Sequence, residues 1–339
     1  MVIIKNIKIV EDKLNSNELK KCFNYIKSLD IDPMSLLPKK NKYTVSFELS
    51  ETNTEFANCI RRCLLDEIDV LSMNIDKIET NDDYILFDLI KERIEMVPIN
   101  QELNYSTYKI SLNIENKTDC IIDVKTKDFT IKPYSDNIFS NNVRLFKLES
   151  NCYIKIDDIT ITKGNALENS GKYSFLSNVF YKILDIPHIS ESNNKSDNSL
   201  LSNPTHFLLK YTTYGNISPK NVIIKCCDTL LNRLKNILNE IESIKSEKDI
   251  PYSSDLLDIK KITDILYIYI ENEYWTLINL ISKYVYLEDK NVPFVSPYIQ
   301  HPDIKKGGIK IKHNQDIKIL KNSIKKIILD LNKLYNKFK

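Results

Sequence analysis

Glycine is scarce in this chain, with only 5 residues in 339. This scarcity excludes most of the glycine-rich loops that wrap phosphate groups in nucleotide-binding proteins. The chain also lacks any run of about 18 apolar residues, so no membrane-spanning helix and no membrane partner are expected. An excess of positive charge is missing as well, because 48 Lys and Arg residues face 46 Asp and Glu residues for a net charge of +2. Dedicated DNA binding through phosphate contacts is therefore disfavoured.

The cysteines are few and scattered, and their number, 7, is odd. This pattern is not typical of a disulfide framework, so reduced thiols are expected. Cys59 and Cys63 lie one helical turn apart, but two thiols fall short of the four ligands of a structural zinc site, and we interpret them as core residues. Residues 106–205 contain only Cys120 and Cys152, which predicts that no zinc or iron–sulfur cofactor is held there. The amino terminus lacks a secretion-signal pattern, so an intracellular protein is expected.

The stretch from Lys42 to Ile68 predicts a strand, a turn and a helix. The strand is indicated by apolar side chains that alternate with polar ones at Tyr43, Val45, Phe47 and Leu49. Thr52 and Glu55 have the spacing of a capping box, which predicts that the helix begins there. An apolar stripe with helical spacing follows at Phe56, Cys59, Ile60, Cys63 and Leu64. Charged residues fall mainly outside this stripe: Arg61, Arg62, Asp66 and Glu67.

Two long helices with heptad-like apolar rows are predicted. The first begins at Ser218-Pro219, and its rows are Ile223, Leu230, Ile237, Ile244 and Cys227, Leu234, Ile241. The second lies at the carboxyl terminus, with rows Ile317, Ile324, Leu331, Phe338 and Leu320, Ile327, Leu334. Because each row leaves an apolar surface uncovered, we expect the two helices to pack against each other through Ile223, Leu230, Leu234, Ile237, Ile324, Ile327, Leu331 and Leu334.

The order of strand, turn and helix recurs at residues 262–284, which indicates two similar modules. Short alternating strands between them predict a β-rich insert that includes a mobile loop at 187–205. The predicted organisation is an extension (1–41), a larger module (42–105 and 206–245), the insert (106–205), a linker (246–258) and a smaller module (259–339). The fold class is α+β, with the two modules forming a pseudo-heterodimer.

Short motifs in the larger module resemble those of the α-like subunits of multisubunit DNA-directed RNA polymerases. Ala57-Asn58-Cys59-Ile60-Arg61-Arg62, preceded by Phe47-Glu48-Leu49, is similar to the family's strand, turn and Asn-Ala-hydrophobic-Arg-Arg signature. Glu92-Arg93-Ile94-Glu95-Met96-Val97-Pro98-Ile99 resembles its His-Arg-Leu-Gly-Leu-Ile-Pro-Leu segment, with the His and the Gly replaced. Lys163-Gly164, and Tyr214-Gly215 before Ser218-Pro219-Lys220, match two further turns. The larger module is thus similar to the larger archaeal α-like polymerase subunit and to the bacterial α amino-terminal domain.

The smaller module is similar to the smaller archaeal α-like polymerase subunit and its eukaryotic equivalent. Asn272-Glu273-Tyr274-Trp275-Thr276-Leu277-Ile278-Asn279-Leu280 stands in place of Glu-Asp-His-Thr-Leu-Gly-Asn-Leu, and Tyr298-Ile299-Gln300-His301-Pro302 matches the family's Tyr-x-x-Pro/Gln-His-Pro. The resemblance covers residues 42–339 in the order of the two subunits. A fusion of this kind resembles the arrangement in large nucleocytoplasmic DNA viruses, which implies viral transcription in the host cytoplasm and a place in the virion, with the host nucleus left open.

The resemblance implies a non-catalytic platform that docks the two largest polymerase subunits and touches nucleic acid only through the complex. It places the docking surface at Asn58, Arg61, Arg62, Lys163 and Gly164. The alternative from the residues alone is a stand-alone nucleic-acid-binding transcription factor, because residues 305–339 carry eleven Lys against two Asp. An enzyme ranks third, since the sequence has no phosphate loop, metal quartet or catalytic triad.

Overall fold

The computed structural model describes residues 2–12, 42–135, 138–139, 142–185, 203–214, 216–244, 250–289, 292–301, 304–312 and 316–339. Predictions for most of the extension, for most of the 187–205 loop and for Gly215 and Pro302 lie outside these residues.

Six α-helices are formed by the described residues: α1 (Thr54–Arg62), α2 (Phe87–Glu95), α3 (Ser170–Tyr173), α4 (Pro219–Ser243), α5 (Trp275–Glu288) and α6 (Asp316–Phe338). The chain continues from α1 into a π-helical turn, Cys63–Glu67, and forms 3-10 turns at Tyr105–Thr107 and Thr126–Asp128. The strands of the first half are β1 (Ile3–Asp12), β2 (Lys42–Ser50), β3 (Val70–Ile75), β4 (Glu79–Thr80), β5 (Lys109–Glu115), β6 (Ile122–Lys125), β7 (Thr130–Lys132) and β8 (Arg144–Leu148). Those of the second half are β9 (Tyr153–Gly164), β10 (Leu176–Ile183), β11 (Phe207–Thr213), β12 (Tyr252–Ser253), β13 (Leu257–Ile262), β14 (Ile265–Glu271), β15 (Phe294–Ile299) and β16 (Lys306–Lys312).

The first sheet is antiparallel with the strand order β1-β2-β11-β10. The alternation predicted for β2 is observed, since Val45, Phe47 and Leu49 are fully buried and the residues between them are only half-buried. Part of the predicted extension belongs to this sheet, because β1 pairs along β2 from Ile3 to Asp12.

The capping box predicted at Thr52 is wrong, and α1 begins at Thr54. Asn53 is the N-cap residue, and its Oδ1 accepts a hydrogen bond from the Phe56 backbone N–H at 2.8 Å. Glu51 has a φ of 54°, which turns the chain sharply after the strand. Thr52 is consequently buried, and its backbone N–H donates to the Thr205 carbonyl instead of its hydroxyl capping the helix.

The second sheet, with the order β12-β13-β14-β16-β15, repeats this local pattern. The residue after β14 is Asn272, with a φ of 58°, and α5 begins three residues later at Trp275. Glu51 and Thr54 occupy the same positions relative to β2, so both strand-to-helix turns use a left-handed residue directly after the strand. The predicted linker, 246–258, is partly structured, because β12 pairs with β13.

The predicted boundary between the first module and the insert is also displaced. Strand β3 pairs with β9 in the third sheet, of order β3-β9-β5-β7, while β10 joins the first sheet. A separate apolar core includes Met73, Ile94 and Ile99 together with the buried residues of the insert strands. Residues 70–99 therefore pack with the insert although they precede it in sequence.

Helices α4 and α6 lie together in the main core, and α5 packs on α6 while α1 packs on α5. One continuous apolar cluster contains the residues of the first sheet, of the second sheet and of these helices. The eight residues expected between α4 and α6 are each at most 1% exposed. Phe338 at the end of α6 reaches Phe47 of the first sheet, with ring centroids 5.1 Å apart. Within the described residues, every helix is too short or too polar to cross a membrane.

Candidate subunit interface

A buried cluster of charged side chains joins α1, α4 and α5; we call its members, Arg62, Glu67, Arg233, Glu273 and Thr276, the Arg233 network. Arg233 lies on α4, and its Nε donates to Glu273 Oε1 at 2.7 Å. Its two terminal nitrogens bind Glu67 and Glu273. Both glutamates are almost fully buried, with whole-residue exposures of 7% for Glu67 and 4% for Glu273. Such a pair of buried acids is tolerated only because the guanidinium forks between them.

The network is extended by Thr276 in the first turn of α5. Its hydroxyl binds Glu67 and accepts a hydrogen bond from Arg62 Nε at 2.9 Å. Arg62 and Arg233 thus bring two positive charges to the two carboxylates, which balances the cluster. Arg62 and Glu67 come from the first half of the chain and Glu273 and Thr276 from the second, so the network ties the halves together.

Burial and charge set the proton affinities in this network. Burial raises the pKa of Glu273, and the hydrogen bonds and charge of Arg233 offset only part of this rise. Burial alone would lower the pKa of Arg233, but the carboxylates of Glu273 and Glu67 raise it above its usual value. Arg233 therefore stays charged, and the raised pKa of Glu273 favours its protonation as the pH falls.

Asn58 and Arg61 form a separate pair on α1. Arg61 Nε donates to Asn58 Oδ1 at 2.9 Å, one helical turn away, and both side chains are half-buried. The neighbouring Arg62 points instead into the Arg233 network. The two adjacent arginines thus have different environments, which their shared motif does not indicate.

Lys163 and Gly164 lie at the end of β9. Lys163 Nζ is 3.0 Å from Asp69 Oδ2, and both side chains are about half exposed, at 53% and 48%. Gly164 is buried, and a Cβ atom there would lie 2.6 Å from the ring of Tyr173. A glycine is required at this position because the tyrosine ring packs directly on the backbone.

A cleft of about 610 Å³ connects Lys163 with the Arg233 network. Its walls include Glu67, Asp69, Lys163, Asn165, Lys225, Asp228, Asn232, Arg233 and Asn272. Burial lowers the pKa of Lys225, whose Nζ donates to the Gln101 carbonyl at 3.2 Å. Lys163 is the predicted docking residue in this cleft, whereas Asn58 and Arg61 are not among its lining residues. The predicted set is therefore divided between two surfaces.

Glu67, Arg233, Glu273 and Thr276 were not identified from the sequence. A signal for them exists in retrospect, because Arg233 directly precedes the seam residue Leu234 and a charge beside an apolar seam needs a partner. Its partners lie 166 and 40 residues away, beyond any local pattern. No group of three or more metal-binding side chains is placed to hold an ion among the residues that the structure describes.

Two antiparallel sheets thus flank a buried helix pair, and buried charges join them. Residues 46–234, more than half of the chain, match the family described as the RNA polymerase Rpb3/Rpb11 dimerisation domain. The chain belongs to this family. The match begins within β2 and ends within α4, so it includes α1 and Arg233 but not α5 or α6.

Curated relatives include subunits of DNA-directed RNA polymerases. The chain is 27% identical to subunit Rpo3 of Pyrococcus furiosus over 168 residues, which is 45% of this chain and 60% of that subunit. It is 25% identical to Rpo3 of Pyrococcus horikoshii over 111 residues, 30% of this chain and 43% of that subunit. Subunit 3B of RNA polymerases IV and V of Arabidopsis thaliana is 32% identical over 56 residues, which is 16% of this chain and 18% of that subunit. The chain thus spans 60% or less of the length of these relatives.

Proposed function

We propose that this chain is a non-catalytic assembly subunit of a DNA-directed RNA polymerase, on which the two largest, catalytic subunits are built. The observation that carries the proposal is the match of residues 46–234 to a polymerase dimerisation domain. The relatives named as Rpo3 subunits support the same assignment. In this role the protein supplies a rigid surface, and the chemistry belongs to the partners.

The finer part of the proposal is that one chain combines both α-like modules as a pseudo-heterodimer. Three observations support it: the repeated strand-to-helix turn at Glu51 and Asn272, the common core around α4 and α6, and the Arg233 network between the halves. A covalent link gives the halves a high effective concentration, so they need not find each other by diffusion. Viral transcription, with the protein in host cytoplasm and virion, is proposed on the fusion alone.

A stand-alone DNA-binding role for the basic α6 is less well supported. Three of its lysines are bound to carboxylates: Lys325 to Glu242 at 2.8 Å, Lys333 to Asp330 at 3.2 Å, and Lys326 to Glu288. Lysines engaged in this way contribute less to a long-range positive field than the count of eleven over residues 305–339 implies.

The test is to pull down the two largest subunits with single variants of the tagged full-length chain. Arg61→Ala should leave the thermal midpoint nearly unchanged, since a substitution outside the core costs about 0.5 kcal/mol. If Arg61 is a docking contact, its loss should weaken capture by about 2 kcal/mol, or roughly 30-fold. Lys325→Ala is the matched control, because it removes an exposed cation from α6 and should capture normally.

Arg62→Ala separates internal from external roles. Because Arg62 donates to Thr276 inside the Arg233 network, this variant should lose about 1–2 kcal/mol of folding stability as well as capture. Normal capture of the large subunits by both arginine variants would show that these arginines of α1 are not part of the docking surface. Failure of the wild-type chain to capture either large subunit would overturn the proposed function itself.

A further inference from the structure

Aromatic and basic side chains alternate on the outer face of the second sheet. The inner face of β14 and β16 is apolar and buried, with Leu266, Ile268, Ile270, Ile309 and Ile311 each at most 1% exposed. Because successive strand residues point to opposite faces, the residues between them lie on the outer face. We call this surface the Tyr–Lys face; it consists of Tyr267, Tyr269, Phe294, Tyr298, Lys260, Lys306, Lys310 and Lys312.

The rings and ammonium groups of this face contact each other directly. Tyr269 and Tyr298 meet edge to face with centroids 5.6 Å apart. Lys310 Nζ lies 4.5 Å from the centroid of Tyr298 and 5.4 Å from that of Tyr267. Lys306 Nζ lies 5.5 Å from Tyr269. Each of these three rings therefore has an ammonium group within the range of a cation–π contact.

Gly308 allows the Tyr298 ring to lie close to the sheet, while the Tyr269 ring is nearly perpendicular to the Tyr298 ring, at 81°. A Cβ atom at this position would lie 2.5 Å from the ring of Tyr298, which pairs with it across β15 and β16. The tyrosine ring therefore lies against the bare backbone of β16 rather than standing out from the sheet. Lys310 Nζ lies over the Tyr298 ring, so a base can stack on this ring once that lysine turns away.

The net charge of the face, counted with the three carboxylates beside its four lysines, is +1. Its four lysines are accompanied by Asp258 and Glu271, which bind Lys260 at 3.0 Å and Lys306 at 2.5 Å. Lys312 faces Asp264 at 3.8 Å, where both side chains are exposed and water screens the pair. The ammonium group of Lys310 lies between two rings, so it can move to an anion without breaking a carboxylate pair.

We propose that the Tyr–Lys face binds single-stranded nucleic acid. Bases stack on Tyr267, Tyr269 and Tyr298, and lysines that now cover the rings turn outward to the phosphates, which run along β16. Unpaired bases present the free π-faces that this surface accepts, whereas the bases of a duplex are already stacked on one another. This site is independent of the proposed assembly role and lies on strands that the family match does not reach.

The alternative occupant is an acidic protein surface. It would use the same lysines, but it has no need of aromatic rings between them. The dependence of binding on the rings therefore separates the two occupants, and the interleaving of rings with lysines favours the nucleic acid.

The experiment uses the full-length chain and fluorescence anisotropy with labelled oligo(dT), oligo(U) and a DNA duplex of about 20 nucleotides or base pairs. We expect saturable binding of the single strands at least about tenfold tighter than of the duplex. Between about 50 and 200 mM salt the affinity should fall with a slope of about −2, as three phosphate contacts require. The ratio of oligo(dT) to oligo(U) binding distinguishes a DNA from an RNA ligand.

Single substitutions show which residues form the binding site. Tyr267→Leu and Tyr269→Leu keep bulk and strand propensity but lose the stacking surface, so each should raise the Kd about fivefold or more. Lys310→Gln should raise the Kd and reduce the salt slope by about 0.7. Lys318→Gln and Lys337→Gln, exposed lysines on α6, are the matched controls and should leave the Kd unchanged. Thermal midpoints confirm that each variant is folded.

Three results would overturn the proposal. Equal affinity for duplex and single strand, or no saturable binding at all, would exclude a stacking platform. A loss that occurs in the α6 controls rather than in the tyrosine variants would move the site to the helix. Binding that is indifferent to the tyrosines, depends on Lys310 and is competed by polyglutamate would identify an acidic protein partner instead.

Discussion

Replacement of Arg233 by leucine is the most informative test of how the two halves are joined. Arg233 is the cation that lies between Glu67 and Glu273, whose side chains are only 5% and 6% exposed. Leucine fills part of the same space and removes the charge. The variant therefore leaves two buried carboxylates beside each other, with Arg62 as the remaining cation of the Arg233 network.

The expected cost follows from this geometry. Removing one partner of a buried ion pair typically costs about 3–5 kcal/mol, because the remaining charge stays desolvated. Arg233 itself is 26% exposed, so water can enter part of the space it leaves. Arg62 remains linked to Glu67 through Thr276 and keeps one positive charge in the network. The expected loss in the free energy of unfolding is therefore at the lower end of this range, about 3 kcal/mol. Such a loss is a large fraction of the roughly 5–15 kcal/mol that stabilise a typical domain.

The assay is urea unfolding of the full-length chain at neutral pH and at mildly acidic pH. Burial raises the folded-state pKa of Glu273 in the wild type, and loss of Arg233 should raise it further. A raised folded-state pKa means that protonation stabilises the fold at low pH, and that this stabilisation is lost as the pH rises through the folded-state value. The difference in the free energy of unfolding between the wild type and the variant should therefore become smaller as the pH falls from neutral towards the usual carboxyl pKa of about 4.3.

A rescue variant completes this test. Arg233→Leu combined with Glu273→Gln removes one buried charge and should recover part of the lost free energy at neutral pH. A loss below about 1 kcal/mol for Arg233→Leu alone would show that the network contributes little to stability. A deficit that stays constant as the pH falls would show that the loss comes from packing rather than from unpaired carboxylates.

Three further predictions concern the same architecture. A chain cut between Ile244 and Ile250, which leaves β12 with the second half, should yield two fragments that co-purify after co-expression; two monomeric fragments in gel filtration would refute the shared core. Gly164→Ala should lower the free energy of unfolding by about 1–3 kcal/mol, because its Cβ would lie 2.6 Å from the Tyr173 ring, and an unchanged urea midpoint would contradict this. Elemental analysis after dialysis against a chelator should find no stoichiometric zinc or iron, and one metal ion per chain would show that distant ligands converge.

Local patterns in the sequence predicted local structure well. Alternation in β2 and heptad rows in α4 and α6 identified the buried side chains, because one face of each element has to leave water. The N-cap of α1 was mispredicted by one residue, because the left-handed turn at Glu51 moves the capping role from Thr52 to Asn53. Residue preferences at helix starts do not predict such a left-handed turn. The turn depends on how the preceding strand is anchored in its sheet.

Contacts between residues that lie far apart in the sequence were not predicted. Nothing in the segment 70–99 indicates that it packs with an insert that follows it, because its apolar residues are equally suited to either core. The sequence pattern places Glu67 outside the apolar stripe, as is typical of a surface residue. In the structure it is buried against Arg233, which lies 166 residues later in the chain. Of the predicted docking residues, Arg62 lies in the Arg233 network, whereas the network's other members and the contacts that connect the halves were missed.

The central claim is that this chain assembles a polymerase, and purification from its native source tests it most directly. A tagged full-length chain should be isolated at physiological salt, and its companions identified by mass spectrometry with stoichiometry. The account predicts one copy each of the two largest RNA polymerase subunits, retained after nuclease treatment. Recovery of the chain alone, or of partners that leave when the nucleic acid is digested, would contradict it.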